Sequence, residues 1–293
     1  MPGILQGILE QGFIYAIIAM GVYITYSILD FPDLTVDGSF PLGAAVCARL
    51  ITAGANGWAA LLASVAAGIL AGVVTGIIHV KFHVRNLLSG ILTMTGLYSV
   101  NIAVAGAANI PLFNKPNIFN TQPGNLLIPA FGEYNKVVLI LIMAIAVKLA
   151  LDWYLQTKSG MLLRAAGDNE QLVTAMAKDN GSVKIVGLAM ANALVALGGG
   201  IICQQSRVFN VTIGTGTIVI CLASIITGLS LFRRSRHIKQ TTAAAAGAVI
   251  YQAVVGLAIQ AGVRPEYMKG VMAVILVGVL IFNHVSRGGE KRA

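Results

Sequence analysis

The sequence predicts an all-α integral membrane protein, a polytopic bundle of eight to ten transmembrane helices. Three observations predict it. Of the 293 residues, 57% are hydrophobic and only 11% are charged, with a mean hydropathy of +0.81. Seven long stretches contain no Asp, Glu, Lys or Arg, and most lysines and arginines lie in the linkers between them. Because a soluble domain carries about 25% charged residues, this composition excludes a soluble enzyme, and it excludes a disordered chain as well.

The seven charge-free stretches are 17 to 31 residues long. A helix needs about 20 mostly apolar residues to cross roughly 30 Å of hydrocarbon, so each stretch predicts one membrane helix. Their apolar runs do not alternate with polar residues, which argues against a β-barrel. The seven stretches are 11–29, 50–80, 86–114, 185–206, 208–232, 240–263 and 270–286.

Two further segments are weaker candidates. Residues 137–156 are apolar apart from Lys148 and Asp152, and residues 38–52 form a short segment flanked by glycine and proline. The stretch 116–132 also lacks charge, but its three prolines and its Asn and Gln side chains are typical of a loop.

Orientation follows from the positive residues, which are enriched in cytoplasmic loops of membrane proteins. Thirteen of the 20 lie in 81–85, 157–184, 233–239 and the C-terminal segment, and the linkers between these hold few. The four segments are therefore predicted to be cytoplasmic, which explains the net charge of +9 better than a nucleic-acid surface does. The N-terminus is predicted to lie outside if 38–52 crosses fully, and inside if that segment is re-entrant. No positively charged region precedes the first span, so no removable signal peptide is predicted.

Several motifs are predicted to be structural. Cys47, Cys203 and Cys221 lie in apolar runs at spacings that fit no metal site, so we interpret them as packing residues. His79 and His83 make a poor metal pair, and no metal site is expected. No G-x-x-x-x-G-K-[ST] motif is present, so the chain is not expected to hydrolyse ATP.

Spacing along the predicted helices indicates how they pack. A repeat of small residues every fourth position predicts a close helix–helix contact, either within the chain, which we favour, or between two copies. The repeat is Ala60, Ser64, Gly68, Gly72 and Gly76. Met94, Tyr98 and Asn101 share one helix face, and Gln252 lies on a second polar face. Such faces point inward, where they either bond to neighbouring helices or line a passage for a polar solute.

No acidic residue lies deep in a predicted span, because Asp30, Asp33 and Asp37 fall between the first two. A carrier driven by protons or sodium usually keeps an ion site near the midplane. The sequence therefore favours a separate source of energy.

The loop 157–184 has its own helix signals. Asp168 with Gln171 has capping-box spacing, and Asn180-Gly181 has the composition of a helix stop. A helix of two to three turns is predicted between them, too short to be stable alone. Its apolar face is predicted to dock on a cytoplasmic partner, or to lie on lipid headgroups. That face is Leu172, Ala175 and Met176.

Three sequence patterns resemble the membrane permeases of ABC importers, in the branched-chain amino acid and ribose subgroup. They are Arg164-Ala165-Ala166-Gly167-Asp168-Asn169 followed by a Gly-rich span that ends Gly198-Gly199-Gly200, the N-terminal stretch 12–29, and 37–44. The sequence of residues 31–39 looks most like that of permeases of the tryptophan/tyrosine type. The resemblance covers nearly the whole chain, as one permease domain of residues 1–293. It departs at 232–237, where many relatives have a Gly-rich turn.

The resemblance implies a permease subunit that moves a small polar solute, an amino acid of aromatic or branched-chain type, by alternating access. It implies separate ATPase subunits that bind the ATP, an extracytoplasmic binding protein, a homodimer or a pair with a similar chain, and a prokaryotic inner membrane. The coupling helix to the ATPase would be 168–180, with Gly167, Asp168, Asn169, Leu172, Ala175 and Met176.

Other site residues are assigned from the residues themselves. The candidate translocation path is Asp37, Ser39, Met94, Tyr98, Asn101 and Gln252. Arg207 is the only charge between 185 and 232, and it is either a docking residue for the binding protein or a cation that reaches to the membrane interface. The alternative function is an ATP-independent carrier or channel. An intramembrane enzyme is not favoured, because the sequence shows no catalytic constellation.

Overall fold

The computed structural model describes residues 2–121, 134–169, 179–233 and 238–263, and isolated positions between 267 and 281. Nearly all of the regular structure is helical. The helices are α1 (Pro2–Tyr23) continued by a π-helical turn (Ile24–Ile28), α2 (Val36–Thr52), α3 (Gly57–Lys81), α4 (Asn86–Ala105), α5 (Asn135–Tyr154), α6 (Lys158–Asp168), α7 (Asn180–Ser206), α8 (Thr217–Leu231) and α9 (Gln240–Gln260). Strands β1 (Asn109–Pro111) and β2 (Val208–Asn210) form a short antiparallel ribbon.

Seven helical segments in the described ranges are long and apolar enough to cross a membrane. They contain α1, α3, α4, α5, α7, α8 and α9. The weak candidate 137–156 is thus confirmed as a span-length helix. The segment 38–52 is α2, a 17-residue helix that is mostly buried, and 270–286 lies largely outside the described residues. The protein is a polytopic, nearly all-α membrane bundle.

The helix ends have local causes. The predicted stretch 86–114 stops being helical at Ala105, because Gly106 takes a left-handed conformation with φ of 84° and ends α4. The chain then turns into β1. The stretch 50–80 begins its helix only at Gly57, where the Asn56 side chain accepts a hydrogen bond from the Trp58 N–H at 3.2 Å. Hydrophobicity alone marks neither boundary.

Contacts between helix ends define two ends of the bundle. Gln205, at the end of α7, donates to Glu10 near the start of α1 at 2.7 Å. Tyr23, at the end of α1, donates to Gln240 at the start of α9 at 2.7 Å. The second end carries the linkers rich in Lys and Arg, and we call it the basic end. The opposite end carries the β1–β2 ribbon, and we call it the ribbon end. The chain therefore begins at the ribbon end.

Helix α7 is the centre of the bundle and packs against α1, α2 and α3. The α3 repeat of small residues faces it, because a Cβ atom added at Gly68 or Gly72 would overlap the carbonyl oxygen of Asn192 or Leu188. Ser64 lies against Gly200 of α7 and also donates to the Gly43 carbonyl of α2 at 2.8 Å. The prediction of a close contact within the chain is confirmed. The three cysteines are free and buried, as predicted.

Candidate translocation site and coupling segment

A cavity of about 210 Å³ lies between α2, α4 and the segment 211–215. It brings together four of the six residues predicted for a translocation path. These are Asp37 from α2 with Met94, Tyr98 and Asn101 from α4. The helical spacing on α4 is the sequence signal that found three of them. The other lining residues are Gly38, Pro41, Thr95, Val211, Thr212 and Thr215.

Asp37 caps α8. Its two carboxylate oxygens accept hydrogen bonds from the Gly216 N–H at 2.9 Å and the Ile218 N–H at 2.8 Å. These donors belong to the helix N-terminus, where backbone N–H groups lack intrahelical partners and the helix dipole favours negative charge. The Gly-rich run 212–217 therefore leads into the start of α8, and the carboxylate that caps this helix comes from α2. Gly216 supports the turn with a φ of 85°.

Asn101 is 1% exposed, and its side-chain amide donates to the Gly38 carbonyl oxygen at 3.1 Å. Its Oδ1 atom has no hydrogen-bond partner among the described residues. Tyr98, one turn earlier on the same face, is half-exposed. The cavity wall thus combines a buried amide, a carboxylate and an aromatic ring.

Ser39 does not line this cavity. It is fully buried and donates to Asn192 Oδ1 at 2.7 Å. The Asn192 amide in turn donates to Asp33 at 2.8 Å, and Asp33 also accepts from the Thr35 N–H at 2.9 Å. Thr35 bonds to Thr75 of α3 at 2.8 Å. This polar cluster ties the start of α2 to α3 and α7.

Three carboxylates are buried in the bundle, although none of them lies deep in one of the seven charge-free stretches. Glu10 in α1, Asp33 before α2 and Asp152 in α5 are each at most 7% exposed. Each has partners that satisfy it, because Gln6 and Gln205 bond to Glu10, and Lys148, Lys239 and Thr241 bond to Asp152. Position along the chain does not indicate this burial, because Asp33 lies between two predicted spans in the sequence but inside the folded bundle.

Gln252 is buried on α9, away from the cavity beside Asp37. It lines a separate cavity of about 160 Å³ between α9 and α1, together with Gly7, Ile8, Gln11, Val255, Gly256 and Ile259. The two polar faces predicted from spacing therefore do not meet in the structure.

The basic end contains a polar cavity of about 370 Å³ that sequence reasoning did not anticipate. Asp152 and Thr241 lie on its wall, joined by a hydrogen bond of 2.6 Å, and Lys239 pairs with Asp152 at 3.2 Å. The contributing residues lie far apart in sequence, so no local motif marks the cavity. Its other lining residues are Tyr23, Leu155, Gln156, Arg164, Ile238 and Gln240.

The predicted coupling segment is only partly described. Asp168 is not an N-cap: it is the last residue of α6, which Thr157 caps at its start. Asn180-Gly181 is not a helix stop either, since α7 begins there with Asp179 as its N-cap. Asp and Asn favour several kinds of helix boundary, so the composition did not identify which one. Leu172, Ala175 and Met176 lie outside the described residues.

Gly167 and Asn169 are placed. A Cβ atom added at Gly167 would overlap the carbonyl oxygen of Ile28, so α6 meets the π-helical turn of α1 backbone to backbone. Asn169 follows α6 in an extended conformation and is exposed. The residues that precede the predicted coupling helix are therefore attached directly to the first membrane helix.

Arg207 follows α7 at the ribbon end with a φ of 57°. Its carbonyl oxygen accepts from the Leu112 N–H at 2.8 Å, and its guanidinium donates to the Phe113 carbonyl at 3.3 Å. Arg207 thus ties β2 to the segment after β1. The ribbon itself is a short departure from the predicted all-helical architecture.

Comparison with known proteins matches this architecture to one family. The family model of branched-chain amino acid transport system permease components matches residues 4–280. The chain is 40% identical over 286 residues to a tyrosine transport system permease protein of Clostridioides difficile (strain R20291), covering 98% of this chain and 93% of that one. It is 30% identical over 273 residues to an uncharacterized protein of Rickettsia prowazekii (strain Madrid E), covering 92% and 93%. No solved structure gives a significant match. The chain belongs to the branched-chain amino acid-type permeases and is a membrane-spanning permease subunit of an ABC importer.

Proposed function

We propose that this permease carries an amino acid with an aromatic side chain inward, powered by ATP hydrolysis on a separate subunit. The observation that carries the proposal is the 40% identity, over almost the whole of both chains, to a tyrosine transport system permease. A cavity with Tyr98, Met94 and Asp37 on its wall supports it, because it offers both apolar and polar contacts. The chain has no Walker-type ATP motif, so ATP binds to the partner.

The translocation path in this proposal runs past Asp37, Met94, Tyr98 and Asn101. Helix α4 supports it, because only 28% of its most apolar window is buried within the chain. Its exposed face is available to a second permease copy or to lipid. In this proposal a second permease covers that face, so the path lies beside a dimer interface made by two copies of this chain or by this chain and a similar one. Ser39 and Gln252 act as supports within the bundle.

The coupling segment consists of Gly167, Asp168, Asn169, Leu172, Ala175 and Met176. Its attachment to α1 through Gly167 supports this role, since movement of α6 is delivered directly to a membrane helix. ATP-driven closure of the ATPases moves this segment, and hinge and shear motions of the packed helices open the passage to the other side.

The basic end faces the cytoplasm and the ribbon end faces outward, where Arg207 lies near the docking surface for a binding protein. Residues 1–293 form one permease domain, in the inner membrane of a prokaryote. In this orientation the N-terminus lies outside.

Uptake by proteoliposomes tests the function. The permease, its ATPase and its binding protein are reconstituted together, and uptake of radiolabelled L-tyrosine is measured with ATP and with a non-hydrolysable analogue. We expect ATP-dependent uptake by the complex and none by the permease alone. Equal flux through the permease alone, without nucleotide, would instead establish an autonomous carrier.

The coupling assignment has its own test. Met176→Asp is expected to abolish copurification of the ATPase while the permease stays folded, because a charge would be placed on an apolar docking face. Met161→Asp, at a side chain exposed on α6, is the matched control. Normal ATPase association of the Met176 variant would show that the docking face lies elsewhere.

A further inference from the structure

Asn101 lines the cavity, and its buried Oδ1 atom is an acceptor with no donor among the described residues. Buried polar groups are almost always hydrogen-bonded, and leaving one unpaired costs about 1–3 kcal/mol. The side chain is 1% exposed, so bulk water does not reach it freely. An unpaired group in such a position indicates a binding partner.

The chemistry of that partner follows from the orientation of the amide. The Gly38 carbonyl oxygen can only accept a hydrogen bond, so the end of the Asn101 amide that faces it at 3.1 Å is the donor Nδ2. This contact fixes which end of the amide is which, a choice that otherwise depends on the hydrogen-bond network. The free atom is therefore an oxygen, and it requires a hydrogen-bond donor rather than an acceptor.

The charges of the cavity point the same way. Asp37 carries the only charge among the described lining residues, and no lysine or arginine lines the cavity. The amide N–H groups of α8 compensate part of the Asp37 charge, because a helix N-terminus carries roughly half a positive charge. The formal charge of the described lining residues is therefore negative. The half-exposed Tyr98 adds an aromatic ring, which also attracts cations.

We propose that this cavity is a binding site for a primary ammonium group, held by Asn101 Oδ1, the Asp37 carboxylate and the ring of Tyr98. The inference deepens the proposed transport function and rests on it, since the ammonium group belongs to the amino acid in transit. The site distinguishes an amino acid from the corresponding acid without an amino group. It does not recognise the carboxylate end of the solute, for which it has no cation.

Two probes that differ only at the amino group test the proposal on the purified full-length permease. L-Tyrosinamide carries a free ammonium group, and N-acetyl-L-tyrosinamide does not. Thermal unfolding in lipid nanodiscs is followed at rising probe concentration. We expect L-tyrosinamide to raise the Tm by about 3 °C when its concentration is about tenfold above its Kd, and the acetylated probe to have no effect. Equal shifts, or no shift with either probe up to its solubility limit, would overturn the proposal.

A pair of variants assigns the effect to the cavity. Asn101→Leu removes the acceptor and keeps a similar volume, so we expect the binding constant for L-tyrosinamide to fall at least about tenfold, the weight of a charge-assisted hydrogen bond. Asn135→Leu is the matched control, because Asn135 is also buried with an unpaired Oδ1 but does not line this cavity. The control should bind the probe as the wild type does. If both variants bind equally, Asn101 is not part of the site.

The outcome is separable from that of the proposed function. If the complete transporter takes up no amino acid although the permease still distinguishes the two probes, the transport proposal fails and the ammonium site stands. If uptake proceeds with ATP and the permease does not distinguish the probes, the transport proposal stands and the ammonium site fails. Should Asn101→Leu fail to fold, the two probes on the wild-type chain still decide the question.

Discussion

The α3–α7 contact and the α2–α4 contact both contain glycines, but the first is tightly packed and the second opens into a cavity. Along α3, Gly68 and Gly72 let two backbones meet with no space between them. Gly38 of α2 lies close to Met94 and Leu97 of α4, and Gly90 of α4 lies close to Leu34 just before α2. Beside Asp37, however, the helices separate and leave the cavity. Burial differs accordingly: 72% of the most apolar window of α7 is buried, against 28% for α4.

The difference shows how one bundle combines a rigid frame, which is the α3–α7 contact, with a passage at the α2–α4 contact. A backbone-to-backbone contact cannot rearrange without large cost, since packed interiors have few voids and low compressibility. A contact that opens into a polar cavity can change its width by side-chain movement. Substitutions in the two kinds of contact should therefore differ in their effects.

The first prediction concerns the frame. Gly72→Ala is expected to lower the free energy of unfolding by about 3 kcal/mol, because the added methyl group overlaps the Leu188 carbonyl and its neighbours. Gly96→Ala is the matched control, since nothing lies within 4 Å of a Cβ atom there. That variant should be neutral or slightly stabilised, because alanine favours helices. Thermal unfolding in detergent measures both. Equal stabilities would mean that α3 and α7 are not rigidly packed.

The second prediction concerns the polar cluster that holds the start of α2. Asn192→Ala removes the donor to Asp33 and the acceptor for Ser39, and we expect a loss of about 2 kcal/mol. Asn120→Ala, at an exposed loop position, is the control and should change the Tm little. If the Asn192 variant is as stable as the control, the cluster does not contribute to holding α2.

The third concerns the cavity itself. Asp37→Asn replaces one of the two acceptors at the start of α8 with an amide that cannot accept, so we expect a loss of about 1 kcal/mol. Uptake should fall more than this modest destabilisation explains, because the variant also removes the charge of the cavity. Asp30→Asn, at an exposed position before α2, is the control for removing a negative charge. Unchanged uptake by the Asp37 variant would separate the cavity from the transport path.

The smallest effect is expected at the basic end. The Ser182 hydroxyl and the N–H groups of Ser182 and Gly181 bond to Asp179 and lower the pKa of its carboxyl group. A lowered folded-state pKa means that the stabilisation is present above the unfolded value, about 3.9, and is lost as the pH falls through the folded value. The Tm difference between the wild type and Asp179→Ala should therefore be constant near neutral pH and shrink below about pH 4. A difference that does not change with pH would contradict the role of Asp179 as a charged cap.

The spans and the α3 repeat could be predicted because they depend on local composition, which the membrane constrains strongly. The burial of Asp33 could not, because only the folding of the segment before α2 into the bundle decides its depth. The boundary errors at Asp168 and Asn180 have another cause. Several residues between 157 and 182 favour capping, and the local sequence does not rank Thr157 and Asp179 above Asp168. Proximity of Asp37 to α8 depends on residues about 180 positions apart.

The contact between Gly167 and the Ile28 carbonyl has a mechanical consequence. At this contact no side chain separates the two backbones. A sideways displacement of α6 must therefore either move the π-helical turn as well or break the contact. Movement of α6 is therefore passed to α1 without being absorbed by side-chain rearrangement. A larger residue at position 167 would separate α6 from the π-helical turn even when no nucleotide is bound to the ATPase.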